Sequence, residues 1–162
     1  MTRLRTRTRH KTARSPGFTV IELLIVVAIL AVLVSLAAGK YSDYRERVRV
    51  NQAVTEVGAL SVTIAQYILE NRTPPDSLAD VRAGGKLDPW GRPYQYFNLT
   101  SSKGNGKARK DKKLNPLNTD FDLYSMGKDG ATQTSLMAKT SRDDVIRARD
   151  GRFIGLAQDF DP

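Results

Sequence analysis

One acid stands where acids are rare. Between Phe18 and Gly39 the only charged residue is Glu22, in a run otherwise broken by Thr19 and Ser35. A carboxylate carried into a bilayer costs a few kcal/mol and marks a functional position with a partner to be named. The chemistry it invites is pairing with a cation, in the same chain or a neighbour, because an unpaired acid in an apolar bundle is expensive. Other chemistries are excluded by residue type. There is no cysteine, so disulfides, thiolate metal sites and cysteine nucleophiles are out. The single histidine, His10, lies in a basic tail, which rules out a histidine triad and a multi-histidine zinc site. Serines, lysines and acids are present, but no nucleophile and base share a recognisable spacing, so the chain reads as a non-enzyme.

A second cluster is cationic. Ser101 to Lys113 carries Lys103, Lys107, Arg109, Lys110, Lys112 and Lys113 against Asp111 alone. It reads as a solvated flexible loop, with an acidic face on a neighbouring subunit or DNA as sharper alternatives. No aromatic is interleaved among the charges, so stacking on single-stranded bases gets no support.

The elements that must position these groups are few. The chain has 162 residues, 40% of them apolar and 27% charged, about one domain's worth. Its net charge of +9 is uneven. Residues 1–17 hold Arg3, Arg5, Arg7, Arg9, Lys11 and Arg14 and no acid; without these six the remainder has 20 basic and 17 acidic residues, a net of +3. The basicity is mostly that of a leader, which discounts a nucleic-acid role. A helix over Phe18 to Gly39 rises roughly 33 Å, enough to cross a bilayer core. The preceding positive flank keeps the N-terminus cytoplasmic and sends the rest across.

Helical periodicity continues beyond that span. Val50, Val54, Val57, Ser61, Ile64 and Ile68 follow in steps of three and four, and Ala53, Leu60 and Ala65 widen the stripe. Arg45, Glu46, Arg47, Arg49, Glu56 and Glu70 form the solvated remainder. Asn71-Arg72-Thr73-Pro74-Pro75 ends it, since proline biases the residue before it away from helix. The full helix, Phe18 to Glu70, is roughly 80 Å long. Asp76 to Val81 is expected to form one or two helical turns capped by Asp76 and ended by Gly84-Gly85. Asp88-Pro89-Trp90-Gly91 reads as a turn; Pro93 to Phe97, Phe121 to Met126 and Phe153 to Ala157 read as strands. The fold class is α+β, a long N-terminal transmembrane and amphipathic helix packed on a small antiparallel sheet.

Three readings of the N-terminus compete. A secretory signal peptide would end at a small-x-small site, Ser35-Leu36-Ala37, and a single-pass anchor would stay uncut. Neither uses Glu22. The third starts from Gly17-Phe18-Thr19-Val20-Ile21-Glu22, which resembles the type IV prepilin cleavage and methylation motif shared by type IV pilins and type II secretion pseudopilins. The resemblance implies that a prepilin peptidase cuts between Gly17 and Phe18, that Phe18 is then N-methylated, and that the helix is kept. The new amine gives Glu22 its cation and an assembly role. Two further stretches, Leu87-Asp88-Pro89-Trp90-Gly91-Arg92-Pro93-Tyr94 and Phe121-Asp122-Leu123-Tyr124-Ser125-Met126-Gly127-Lys128-Asp129-Gly130, resemble head signatures of the major pseudopilin of type II secretion. The implied pilin-like organisation is a leader at 1–17, a transmembrane and assembly helix at 18–39, a periplasmic amphipathic half at 40–72 and a β-rich head at 73–162.

That resemblance also implies a calcium site: the carbonyl of Met126 with Asp129, Asp143 and Asp144. Calcium takes several hard oxygens, which three carboxylates plus carbonyls and water could supply. The alternative is a solvated acidic turn, since Asp129-Gly130 is a good hairpin dipeptide by itself. Ala131 to Arg142 separates the two halves by more than the family's shorter loop. By the same resemblance the chain is a filament subunit of the inner membrane with its head in the periplasm. Its partners are sister copies, prepilin peptidase, minor pseudopilins, an inner-membrane platform and a secretion ATPase. A type IV pilus or competence pseudopilus, the latter in contact with DNA, is the alternative.

Overall fold

The computed structural model describes residues 17–101 and 105–162. The basic leader through Pro16, His10 included, and Lys103 of the basic loop lie outside the described residues. The chain divides into two compact units, the first ending at Ser42 and the second running from Asp43 to Pro162. A single helix, α1 (Val20–Asn71), runs through both. It covers the expected span almost residue for residue. Its C-terminal end is set by Arg72, whose φ of 62° is left-handed and whose N–H returns to the Ile68 carbonyl at 2.8 Å.

In the first unit nothing of the helix is buried. Every large apolar side chain from Val20 to Leu36 is 45–77% exposed. The segment is long and apolar enough to cross a membrane. Each such side chain forgoes about 1.5–3 kcal/mol of burial while it faces water.

In the second unit the same helix has one buried stripe, Ala53, Val57, Leu60 and Ile64, flanked by Val50, Val54 and Ile68. Ala65, expected in the stripe, is exposed. The stripe packs on a sheet of four strands: β1 (Gln95–Asn98), β2 (Phe121–Ser125), β3 (Val145–Ala148) and β4 (Phe153–Leu156). The order is sequential and every pairing antiparallel, with Gln95 opposite Tyr124, Tyr124 opposite Ile146 and Val145 opposite Leu156. Alternation sends Phe121, Leu123 and Val145 into the core with the helix. Ile146 and Ala148 join Leu117, Leu136 and Ala157 in a second apolar cluster, with Tyr124 packed against it.

Three expected strands are present and a fourth was not foreseen. Val145–Ala148 is buried at every position, so it lacks the one-sided alternation that marks a surface strand, and Arg147 interrupts its apolar run. The helix expected at Asp76–Val81 is a series of turns instead. Its cap is Asp80, which accepts the Ser77 N–H at 2.8 Å, and not Asp76. The basic stretch is partly structured: Ala108 and Arg109 are buried, and Lys110 bridges to Ser135.

Candidate functional site

At the N-terminus, Gly17 to Thr19 precede the helix and Phe18 is 85% exposed. Among the described residues, a side chain at Gly17 would meet nothing within 4 Å. Glu22 has a local partner, Thr19. Its Oε2 accepts the Thr19 N–H and the Thr19 hydroxyl, both at 2.8 Å, while Glu22 N–H points back to the Thr19 hydroxyl at 3.3 Å. This is a capping box, and the signal was legible as Thr19-Val20-Ile21-Glu22 ahead of an apolar run. Glu22 therefore starts the helix in the uncut chain.

In the second unit the two head stretches turn out to be parts of one joint. Asp88 is buried; its Oδ1 accepts the backbone N–H of Trp90 at 3.0 Å and of Arg92 at 2.9 Å, fixing the turn. Its Oδ2 accepts the hydroxyl of Ser125 at the end of β2. Two helix acids hold the aromatics of this turn and the residues after it. Trp90 donates its indole N–H to Glu46 at 3.1 Å, and Tyr94 its hydroxyl to Glu56 at 2.8 Å. Neither acid is part of a merely solvated face. Burial alone would raise the Glu56 carboxyl, but hydrogen bonds from Gln52 and Tyr94 and the Lys86 ammonium at 3.4 Å hold it below its ordinary 4.5.

The residues expected to bind calcium are placed as follows. The Met126 carbonyl accepts the Gly130 N–H at 3.2 Å. Asp129 accepts the Ala131 N–H at 2.8 Å, and Asp143 accepts the Asp129 N–H at 2.9 Å. Asp144 is fully buried and faces Arg109: its Oδ2 accepts the guanidinium at 2.6 Å and the Thr132 hydroxyl at 2.6 Å. Burial pushes the Asp144 carboxyl up to about 6 against the pull of that arginine. Among the described residues Asp144 Oδ1 is buried without a partner, as are Arg109 Nε, Thr140 Oγ1 and Arg147 Nε. Among the described residues no group of three histidines, cysteines, aspartates or glutamates stands close enough to hold a metal ion. A calcium ion takes six to eight oxygens. The three carboxylates are divided among backbone amides and a guanidinium, and a cation at Asp144 would sit beside Arg109 and be repelled by it. The residues as arranged do not fit the ion. Arg109, 2% exposed and stacked 4.1 Å over the Tyr124 ring, is likewise no part of a basic surface; Lys107, Lys110, Lys112 and Lys113 are exposed.

Comparison with known proteins agrees with both halves of this description. The prokaryotic N-terminal methylation motif matches residues 13–38. The type II secretion system core protein G of Aeromonas hydrophila is 30% identical over 142 residues, 75% of this chain and 88% of that protein. The chain belongs to the type IV pilin-like family of pilins and pseudopilins. The core protein G of Pseudomonas aeruginosa is 28% identical over 135 residues, 70% of this chain and 84% of that protein. A fimbrial protein of Pseudomonas aeruginosa is 44% identical over 71 residues, 40% of this chain. The match spans 46% of that fimbrial protein, less than half its length. No solved structure matches. The long apolar helix and the small antiparallel sheet are consistent with the pilin fold of this family.

Proposed function

We propose that the chain is a structural subunit of a type II secretion pseudopilus, a filament that helps export folded proteins across the outer membrane. The observation that carries this reading is the unburied apolar helix, Val20 to Leu36, retained behind a capping box. Prepilin peptidase cuts the Gly17–Phe18 bond and the Phe18 amine is methylated. The helix waits in the inner membrane with the head in the periplasm. Assembly exchanges lipid for sister helices, and Glu22 exchanges its Thr19 partners for the Phe18 amine of its own chain or a neighbour. Sequence match along both the helix and the head to two core protein G relatives supports secretion as the setting. A surface type IV pilus is the second reading, favoured by the 44% identity over 71 residues to a fimbrial protein.

Glu22→Ala supplied to a strain lacking its own copy tests the mechanism. The variant is expected to be cut and inserted yet to restore neither filament nor export. Normal filaments would remove the pairing role. Export left intact in the deletion strain, with surface fibres lost, would move the chain to the pilus.

A further inference from the structure

The loop between β2 and β3 is long, acidic at both ends and tied down by cations of its own chain. Arg92 leaves the Asp88–Gly91 turn and crosses to this loop. Its guanidinium donates to the Gly127 carbonyl at 2.6 Å and to the Lys128 carbonyl at 3.2 Å. Two glycines of the loop have left-handed backbone, which favours glycine. Gly130 has a φ of +69°, and a side chain there would collide with the Arg92 guanidinium; Gly127, with φ +61°, would collide with the Asp143 carbonyl. At the other end Arg109 binds Asp144 at 2.6 Å and the Thr132 hydroxyl at 2.8 Å, with Tyr124 beneath its plane. A guanidinium is planar, always charged and presents several donors in a fixed fork, so it can tie together carbonyls and carboxylates of one loop.

We propose that Arg92 and Arg109 hold the Gly127–Asp144 loop in the role that a divalent cation would otherwise fill, so that the head orders this loop without calcium. Arg92 fixes the carbonyl end and Arg109 the carboxylate end. The two come from different places, one from the turn that seats the head on α1 and one from the segment before β2. The loop is thereby tied to both. The inference is independent of which filament the chain builds.

The full chain in detergent, unfolded by heat with excess calcium and again with excess EDTA, tests it. Anything that binds only the folded state raises the midpoint, by an amount that grows with the logarithm of its concentration over Kd. The expected result is one midpoint in both conditions, with no calcium retained in the native mass spectrum. A midpoint that climbs with calcium, or a retained ion, overturns the proposal. Amide exchange in Arg92→Gln supplies an independent arm. The Asp129, Gly130 and Ala131 amides should exchange about tenfold faster or more, the scale of a lost charge-assisted bond, while β2 to β4 keep their protection. Unchanged exchange at those three amides would equally defeat it. The calcium comparison needs no variant and decides the matter even where Arg92→Gln does not fold.

Discussion

The two halves of α1 share one backbone geometry and have opposite surroundings. Residues 20–42 bury nothing, whereas residues 43–71 bury Ala53, Val57, Leu60 and Ile64 against a sheet. Helical form alone therefore says little about what stabilises a helix. The second half is held by its own head, through an apolar stripe and two acids that grip Trp90 and Tyr94. The first half is apolar all round, and its burial must be supplied from outside the chain, by lipid or by sister copies.

Substitutions on either side of Ser42 sharpen that contrast. The largest loss is expected in the head at Asp144. Its replacement by alanine strands the buried Arg109 charge and should cost about 3–5 kcal/mol in denaturant unfolding. A loss under about 1 kcal/mol, the scale of a surface pair, would show that Arg109 finds water instead. Next comes a matched pair of isoleucines. Ile64, with no exposed surface, should lose about 2–5 kcal/mol on Ile64→Ala. Ile25, 54% exposed, should leave the unfolding of the detergent-held subunit unchanged on Ile25→Ala while reducing filament yield. Equal effects on head stability would erase the distinction between the halves.

The smallest effect is expected at the joint. Tyr94→Phe removes the hydroxyl that Glu56 accepts and should cost about 0.5–1.5 kcal/mol. The same contact has a pH signature. Glu56 is held below its unfolded 4.5, so its contribution is fully present above that value and is lost as pH falls through the folded value. In Tyr94→Phe that acid-side loss should shrink; an identical pH profile in parent and variant would show that Tyr94 has no part in holding Glu56 low.

Much of this was legible in the sequence where one physical signal dominated. The helix limits followed from periodicity and the Pro74-Pro75 stop, and β2 and β4 from their aromatic and branched runs. What escaped was whatever depends on two remote segments meeting. β3 is buried on both faces and holds Arg147, whose partner Asp120 lies 27 residues away. Arg109 looked like one more charge in a basic loop, yet Asp144, 35 residues on, draws it inside. Arg92 looked like a turn neighbour and is a clamp on carbonyls 35 and 36 residues away. The capping box at Thr19 and Glu22 is a different case, because both residues lie within one helical turn.

On the proposed function, the exposed apolar half of α1 survives processing because copies of the chain bury it together. The intact mass of the chain recovered from membrane-derived filaments tests this most directly. A chain that begins at Phe18 and carries one added methyl group is the predicted result. A chain that begins at Ala38, recovered as a soluble monomer without the apolar helix, would contradict it.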